Sequence, residues 1–266
     1  MRNSSLVARG TDCAMNLAAG LAGRHALVTG ASGGLGEHFA KLLARSGARV
    51  TVAARRLDRL EALSETLAEL GSPEVRAIEL DVTDAASVEA ALGSAGPIDV
   101  LVNNAGISDG RPALDVPLDL YDSVLDTNLR GVWLLSTGAA RRWREAGQGG
   151  VVVNIASILS FRVTGAVPVY AASKAAVMQL TASLGLEWAR YGIRVNALAP
   201  GYIATEMNSD FFDSDPGKAM IKRIPMRRLG QPADLDGAFL LLAGDASAWM
   251  TGTCIAVDGG HLVSSL

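Results

Sequence analysis

The chain has 266 residues, 49% apolar and 19% charged, with a formal net charge of −3. Its length allows one large domain with a substantial core, while the slight acidity and the lack of any basic run exclude an electrostatic footprint for nucleic acid or a membrane surface. Two cysteines (Cys13, Cys254) and three scattered histidines (His25, His38, His261) exclude a disulfide framework and a metal-ligand cluster, and no apolar run reaches the length of a membrane span.

Residues 1–20 lack the apolar core of a secretory signal and are expected to be a flexible extension of a cytoplasmic protein, with the folded domain spanning 21–266. His25–Gly30 is an apolar strand ending in glycine, followed by helical spacing over Gly36–Ser46 with Phe39, Leu42 and Leu43 on one side. Arg49–Arg55 is the second strand, and Leu57, Leu60, Leu63, Leu67 and Leu70 mark the helix after it. Val75–Val82 is the third strand, and Thr83–Asp84 supplies a helix start before Val88 and Leu92. Ile98–Asn103 is the fourth strand, and Leu118–Ala146 is one long amphipathic stretch. Val151–Ser157, a continuous apolar run, is the fifth strand; Val169–Arg190 is helical and Ile193–Ala199 is the sixth strand. Ala233–Leu242 is a helix and Cys254–Val257 a short last strand. Strands alternating with helices predict a single α/β domain, a doubly wound parallel sheet of about seven strands with helices on both faces.

Three groups of residues carry chemistry. Thr29–Gly36 reads TGASGGLG between the first strand and the first helix, with Gly30, Ser32, Gly34, Leu35 and Gly36 placed so that backbone can approach a pyrophosphate at the helix N-terminus. Alone, such a loop is a turn that uses glycine for backbone freedom. At the end of the second strand, Ala54 stands where an acidic residue would reject a 2′-phosphate, and Arg55 and Arg56 follow. A guanidinium there favours NADP(H) over NAD(H), unless both arginines are only the solvated start of a helix. Asp81, with the Val82 amide beside it, either meets the adenine or caps a helix. Asn103–Gly106 (NNAG) ends the fourth strand with Asn104, Ala105 and Gly106, small or polar residues against which a cofactor can lie.

The third group is Ser157, Tyr170 and Lys174. Tyrosine and lysine one helical turn apart share a helix face. A cation held near the phenol favours the phenolate and lowers its pKa, and the serine hydroxyl, from a strand end, can hydrogen-bond the oxygen that gains or loses the proton. An isolated pair of this kind is more often a surface tyrosine stacked on a lysine stem.

Taken together, TGASGGLG, Asp81, NNAG, Asn128, Ser157, Tyr170, Lys174 and the Pro200–Gly201 loop ending at Thr205 resemble the short-chain dehydrogenase/reductase family over about Leu21 to Gly260. The resemblance implies a Rossmann-like sheet, a nicotinamide cofactor, and interconversion of a ketone and a secondary alcohol by hydride transfer. It implies Tyr170 as acid/base, Lys174 on the nicotinamide ribose, Ser157 on the substrate oxygen, and Asn128 holding a relay water through a distortion of the fourth helix. Ile203 and Thr205 fall near the carboxamide. Many NADP-preferring relatives carry a basic residue at Gly33, whose absence leaves Arg55 largely alone on the phosphate. Specificity is expected in Ile158–Val169 and in the loop 202–228, where Met207, Phe211, Phe212, Met220 and Ile224 alternate with Asp210, Asp213 and Asp215. The stretch PGYIATEM looks both like 3-oxoacyl thioester reductases and like sugar-acid dehydrogenases. An NADPH-dependent reductase of a 3-oxoacyl-type or other largely apolar ketone is the leading expectation; a sugar-acid or polyol dehydrogenase and a non-catalytic nucleotide sensor are the alternatives. Arg162 either meets an anionic substrate end or faces solvent. Trp133 and Leu134 fit either the contacts of a homodimer or homotetramer or plain core packing.

Overall fold

Two short aliphatic strands, β1 (His25–Thr29) and β5 (Gly150–Ile155), are buried at every residue, as expected where helices cover both faces of a sheet. In the computed structural model, which describes residues 17–18, 20–205 and 212–264, they join β2 (Arg49–Ala54), β3 (Val75–Glu79), β4 (Val100–Asn103), β6 (Ile193–Pro200) and β7 (Cys254–Val257). The seven strands run in the order β3-β2-β1-β4-β5-β6-β7, and every pairing is parallel. The expected N-terminal extension lies, apart from residues 17, 18 and 20, outside the described residues.

The helices are α1 (Gly34–Arg45), α2 (Leu57–Glu69), α3 (Ala85–Ala95), α4 (Leu118–Leu125), α5 (Gly131–Glu145), α6 (Pro168–Trp188), α7 (Asp215–Ile221) and α8 (Asp236–Ala243). Strand side chains alternate between two layers. Val28, Val100, Val102, Val151 and Val153 pack under α1, α2 and α8, where the Phe39 and Phe239 rings stack at 4.3 Å. Leu27, Leu101, Val152 and Val195 pack on the other face with Leu92 of α3, Leu135 and Trp143 of α5, and Leu184 of α6. The Trp143 indole N–H donates to Ile98 O at 2.6 Å. Its ring lies so close to Gly150 that a Cβ there would sit 2.3 Å away.

A polar strip runs through this second layer. Asn103 of β4 lies beside Asn154 of β5 in the strand register. The Asn103 amide nitrogen donates to Asn154 Oδ1 (2.8 Å) and Ser136 Oγ (2.9 Å), and Asn154 donates to Thr181 Oγ1 (2.9 Å).

Two elements differ from the sequence expectation in ways that bear on the site. The third strand ends at Glu79, so Asp81 and Val82 lie beyond it, where Asp81 Oδ1 accepts from the Thr83 N–H and hydroxyl instead of continuing a ladder. Asp84 does cap α3, accepting from Ala86 N and Ser87 N. The stretch Leu118–Ala146 is interrupted by a π-helical turn at Asp126–Arg130, which separates α4 from α5. Because β1 is followed by β2 on one side and β4 by β5 on the other, a crevice opens at the carboxyl ends of β1 and β4, the switch point where ligands bind in open α/β sheets.

Candidate active site

At that crevice the loop after β1 is clasped to the end of β4. Thr29 Oγ1 donates to Val102 O (3.1 Å) and accepts from Asn104 N (3.0 Å), while the Asn104 carboxamide donates to Thr29 O (3.0 Å) and Gly30 O (3.3 Å). The fit demands glycine. At Gly30, with φ +64°, a Cβ would lie 2.8 Å from Ala105 Cα; at Gly36 it would lie 2.4 Å from Gly30 O. No side chain caps α1, whose N-cap is Gly33, so its first N–H groups and the positive end of its dipole are left for an anion. Ser32 and Leu35 complete the loop, with Leu35 packed on the core and Ser32 partly exposed. These features suit a dinucleotide pyrophosphate.

The sequence expectation puts Arg55 on the 2′-phosphate. In the structure Arg56 is the arginine that reaches the loop, donating to Ser32 Oγ at 2.8 Å. Arg55, also exposed, acts on Asp81 through its charge. The Thr83 hydrogen bonds are the larger cause and, with that charge, hold the Asp81 carboxyl below its usual range. Nothing in the residue pattern distinguishes the two neighbouring arginines; the difference lies in Arg56 being the residue before α2. Val82 is buried against Gly131.

Four segments meet on the other side of the crevice. Ser157 follows β5, buried, with its hydroxyl accepting from Leu159 N at 3.1 Å. Tyr170 lies in the first turn of α6. Lys174, one turn further, is 4% exposed, donates to Ile155 O at 2.7 Å and lies 5.7 Å from the Tyr170 ring centroid. Asn128 sits in the π-helical turn, fully buried. It accepts from Ile107 N (2.8 Å) and donates to Ile107 O (2.8 Å) and Ser173 Oγ (3.0 Å), and Ser173 in turn donates to Tyr170 O (2.7 Å). Gly106 lies between them: a Cβ there would be 3.2 Å from Asn128 Oδ1 and 3.5 Å from Lys174 Nζ. One residue that lies outside every motif also belongs here. Asp109 Oδ2 accepts from the N–H of Val169, the residue before Tyr170, at 3.1 Å.

The electrostatics correct one expectation. Burial pushes the Lys174 ammonium down from 10.5 to about 8. The Tyr170 phenol is not lowered but raised, chiefly by burial; the Ser157 hydroxyl pulls the other way, and Tyr202 adds to the rise. The Lys174 ammonium lies over the Tyr170 ring but spends a hydrogen bond on a backbone carbonyl, and burial of the phenolate dominates.

The Pro200–Gly201 loop closes the crevice. A Cβ on Gly201 would lie 2.7 Å from Asp258 Cα, and Ile203 is buried and bridges Gly230. Tyr202 packs edge-on to Phe212 (5.8 Å) and against His261 (5.4 Å). Arg162 donates to His261 O at 2.6 Å, tying the C-terminal turn to the segment between Ser157 and Tyr170. Thr205 is the last residue described before the gap, and Met207, Asp210 and Phe211 lie outside the described residues. Among the described residues, no cluster of three or more His, Cys, Asp or Glu could hold a metal ion, and no helix is long and apolar enough to cross a membrane.

A family-wide model described as "Enoyl-(Acyl carrier protein) reductase" matches residues 30–261. The chain is 40% identical over 249 residues to the 2-dehydro-3-deoxy-D-gluconate 5-dehydrogenase of Dickeya dadantii, covering 91% of this chain and 96% of that protein. It is also 40% identical over 248 residues to the L-rhamnose 1-dehydrogenase (NAD(P)(+)) of Azotobacter vinelandii, covering 90% and 96%. The gluconate 5-dehydrogenase of Burkholderia cenocepacia, solved in complex with NADP and tartrate, superposes with a TM-score of 0.87 at 35% identity over 92% of this chain and 97% of that one.

Proposed function

Given that the chain belongs to the short-chain dehydrogenase/reductase family and is an NAD(P)-dependent oxidoreductase, we propose that it interconverts a secondary alcohol and a ketone on a polyhydroxylated substrate: a sugar acid, a sugar or a polyol. The observation that carries this substrate class is the relatives' names, which point to sugar acids and sugars across nine-tenths of the chain. They give the 3-oxoacyl reading no support, and an enzyme sets aside the nucleotide-sensing reading.

In this proposal the nicotinamide, when bound, supplies or accepts the hydride. The residues do the rest. Tyr170 exchanges the proton with the substrate oxygen, and Ser157 donates a hydrogen bond to that oxygen as its charge grows. Lys174 binds the nicotinamide ribose hydroxyls and steadies the phenolate, and Asn128, through the π-helical turn, orders the water that feeds the proton path. The glycine loop (Gly30, Gly34, Gly36) cradles the pyrophosphate, Asp81 and Val82 meet the adenine, Asn104–Gly106 back the ribose, and Ile203 and Thr205 hold the carboxamide. We assign the 2′-phosphate to Arg56 with Ser32 and Arg55, and so favour NADP(H). The exposed Trp133 on α5 (45%) fits a subunit contact and hence a homodimer or homotetramer.

Tyr170→Phe tests the core of the proposal. The variant is expected to fold and bind cofactor yet lose about 10²–10⁴-fold in turnover, the usual share of acid–base catalysis; near-native turnover would sink it. For the cofactor, the ratio of kcat/KM with NADP⁺ to that with NAD⁺ is expected to fall more in Arg56→Ala than in Arg55→Ala. The reverse order would restore Arg55 as the phosphate ligand.

A further inference from the structure

Tyr202 joins the two segments in which specificity is expected. Its phenol is hydrogen-bonded to the Thr164 side chain, in the stretch between Ser157 and Tyr170. Its ring packs edge-on to Phe212 of the loop 202–228 at 5.8 Å, and His261 holds it from another side at 5.4 Å. The backbone is fixed as well. Tyr202 O accepts from Gly230 N at 2.9 Å, and a Cβ on the preceding Gly201 would lie 2.7 Å from Asp258 Cα. The Tyr202 phenol is near enough to the Tyr170 phenol for its charge to be felt there. Tyr170 and Tyr202 are only partly buried and Thr164 is exposed, so the three side chains stand at a surface open to small molecules.

Phenylalanine would make the same ring contacts, so packing accounts for the ring of Tyr202 and leaves its hydroxyl to be explained. A phenol and an aliphatic hydroxyl each carry one O–H donor and acceptor lone pairs. The bond between Tyr202 and Thr164 uses one donor and one acceptor of the pair. One O–H and further lone pairs are left, enough to donate to a third hydroxyl and accept from it. A side chain clamped by its own backbone and by two rings presents such groups without first having to order them. Standing beside the proposed proton donor, the pair meets the part of a substrate next to its reacting carbon.

Resting on the proposed polyhydroxylated substrate, we infer that Tyr202, together with Thr164, is a specificity-determining residue: the two hydroxyls bind a hydroxyl on the carbon adjacent to the reacting one, so that the enzyme takes vicinal diol units and discriminates against isolated secondary alcohols. A site built to hydrogen-bond a substrate hydroxyl rejects the analogue that lacks it, because its own polar groups are then left unpaired.

The experiment compares the wild-type enzyme with Tyr202→Phe and Thr164→Val, using NADP⁺ and NAD⁺. The substrates are four- to six-carbon alditols and aldonates, and a matched pair that differs by one neighbouring hydroxyl, cyclohexane-1,2-diol and cyclohexanol. For the wild type, kcat/KM should be about tenfold or more higher for the diol than for cyclohexanol. In both variants the KM of the alditol or aldonate that the wild type prefers should rise about tenfold with kcat little changed, and the advantage of the diol should shrink by a similar factor, while cyclohexanol is unaffected. Tyr202→Phe keeps the ring contacts, so its thermal unfolding and its affinity for NADP⁺ should match the wild type. A loss shared equally by cyclohexanol, or a lower melting temperature with weaker cofactor binding, would reduce Tyr202 to a brace between the two segments and overturn the inference. An unchanged KM, or a wild type for which the diol is no better than cyclohexanol, would overturn it too. In each of these cases turnover of alditols or aldonates leaves the proposed function standing. A wild type that acts on cyclohexanol and on no polyhydroxylated substrate would overturn both.

Discussion

Lys174 illustrates how burial and function oppose each other at a single residue. Its ammonium is almost wholly removed from water, and its pKa falls from 10.5 to about 8. The folded state therefore binds this proton less tightly than the unfolded chain. Below about pH 8 both states are protonated and the burial cost is present in full, on the order of 3 kcal/mol. Between about 8 and 10.5 the unfolded chain holds more protons, so stability contributed by this residue rises with pH. Lys174→Met removes the titration. The stability of the parent relative to this variant, measured by urea unfolding, should rise by about 2–3 kcal/mol from pH 7 to pH 10. A difference that stays flat would mean that the ammonium is not desolvated as described.

At the scale of elements, the π-helical turn Asp126–Arg130 matters most. A helix that admits one wider turn directs a side chain inward where the regular spiral would not, and such turns gather at functional sites. Here it delivers Asn128 to both backbone groups of Ile107. Asn128→Ala should therefore strip both backbone groups of Ile107 of their partner and cost about 2–6 kcal/mol of stability, at about 1–3 kcal/mol for each group left unsatisfied; a melting shift no larger than that of a surface alanine would contradict this. The alternation of strands and helices was legible because buried parallel strands carry short apolar runs, as Val151–Val153 shows, and because Asp84 and the leucines of α2 carry ordinary helix signals. Of the residues resembling the family pattern, TGASGGLG runs into α1, NNAG starts at the last residue of β4, and Tyr170 and Lys174 share α6, whereas Asp81 lies beyond β3. The π-helical turn was expected only as a distortion at Asn128, and its bounds were not readable, because DTNLR has no composition that separates it from α-helix. The choice between Arg55 and Arg56, the upward shift of Tyr170 and the hold of Asp109 on Val169 all depend on distances between segments far apart in the chain, which local periodicity does not encode.

For the whole molecule, the sheet divides the interior into two separate hydrophobic layers. Phe239 anchors one by stacking on Phe39, and Trp143 anchors the other. Each truncated to alanine should cost about 3–5 kcal/mol. With no shared partners across the sheet, the double variant should show the sum to within about 0.5 kcal/mol, and a large departure in chemical denaturation would mean that the two layers communicate through the strands. The paired asparagines of β4 and β5 carry a consequence for how the strands find each other. Sliding β4 by a single position would turn Asn103 toward the opposite layer and part it from Asn154. Misaligned strands are thereby penalised during assembly, and the two carboxamides act as a proofreading device that accepts only the alignment in which Gly106 and Ser157 end up facing the same crevice.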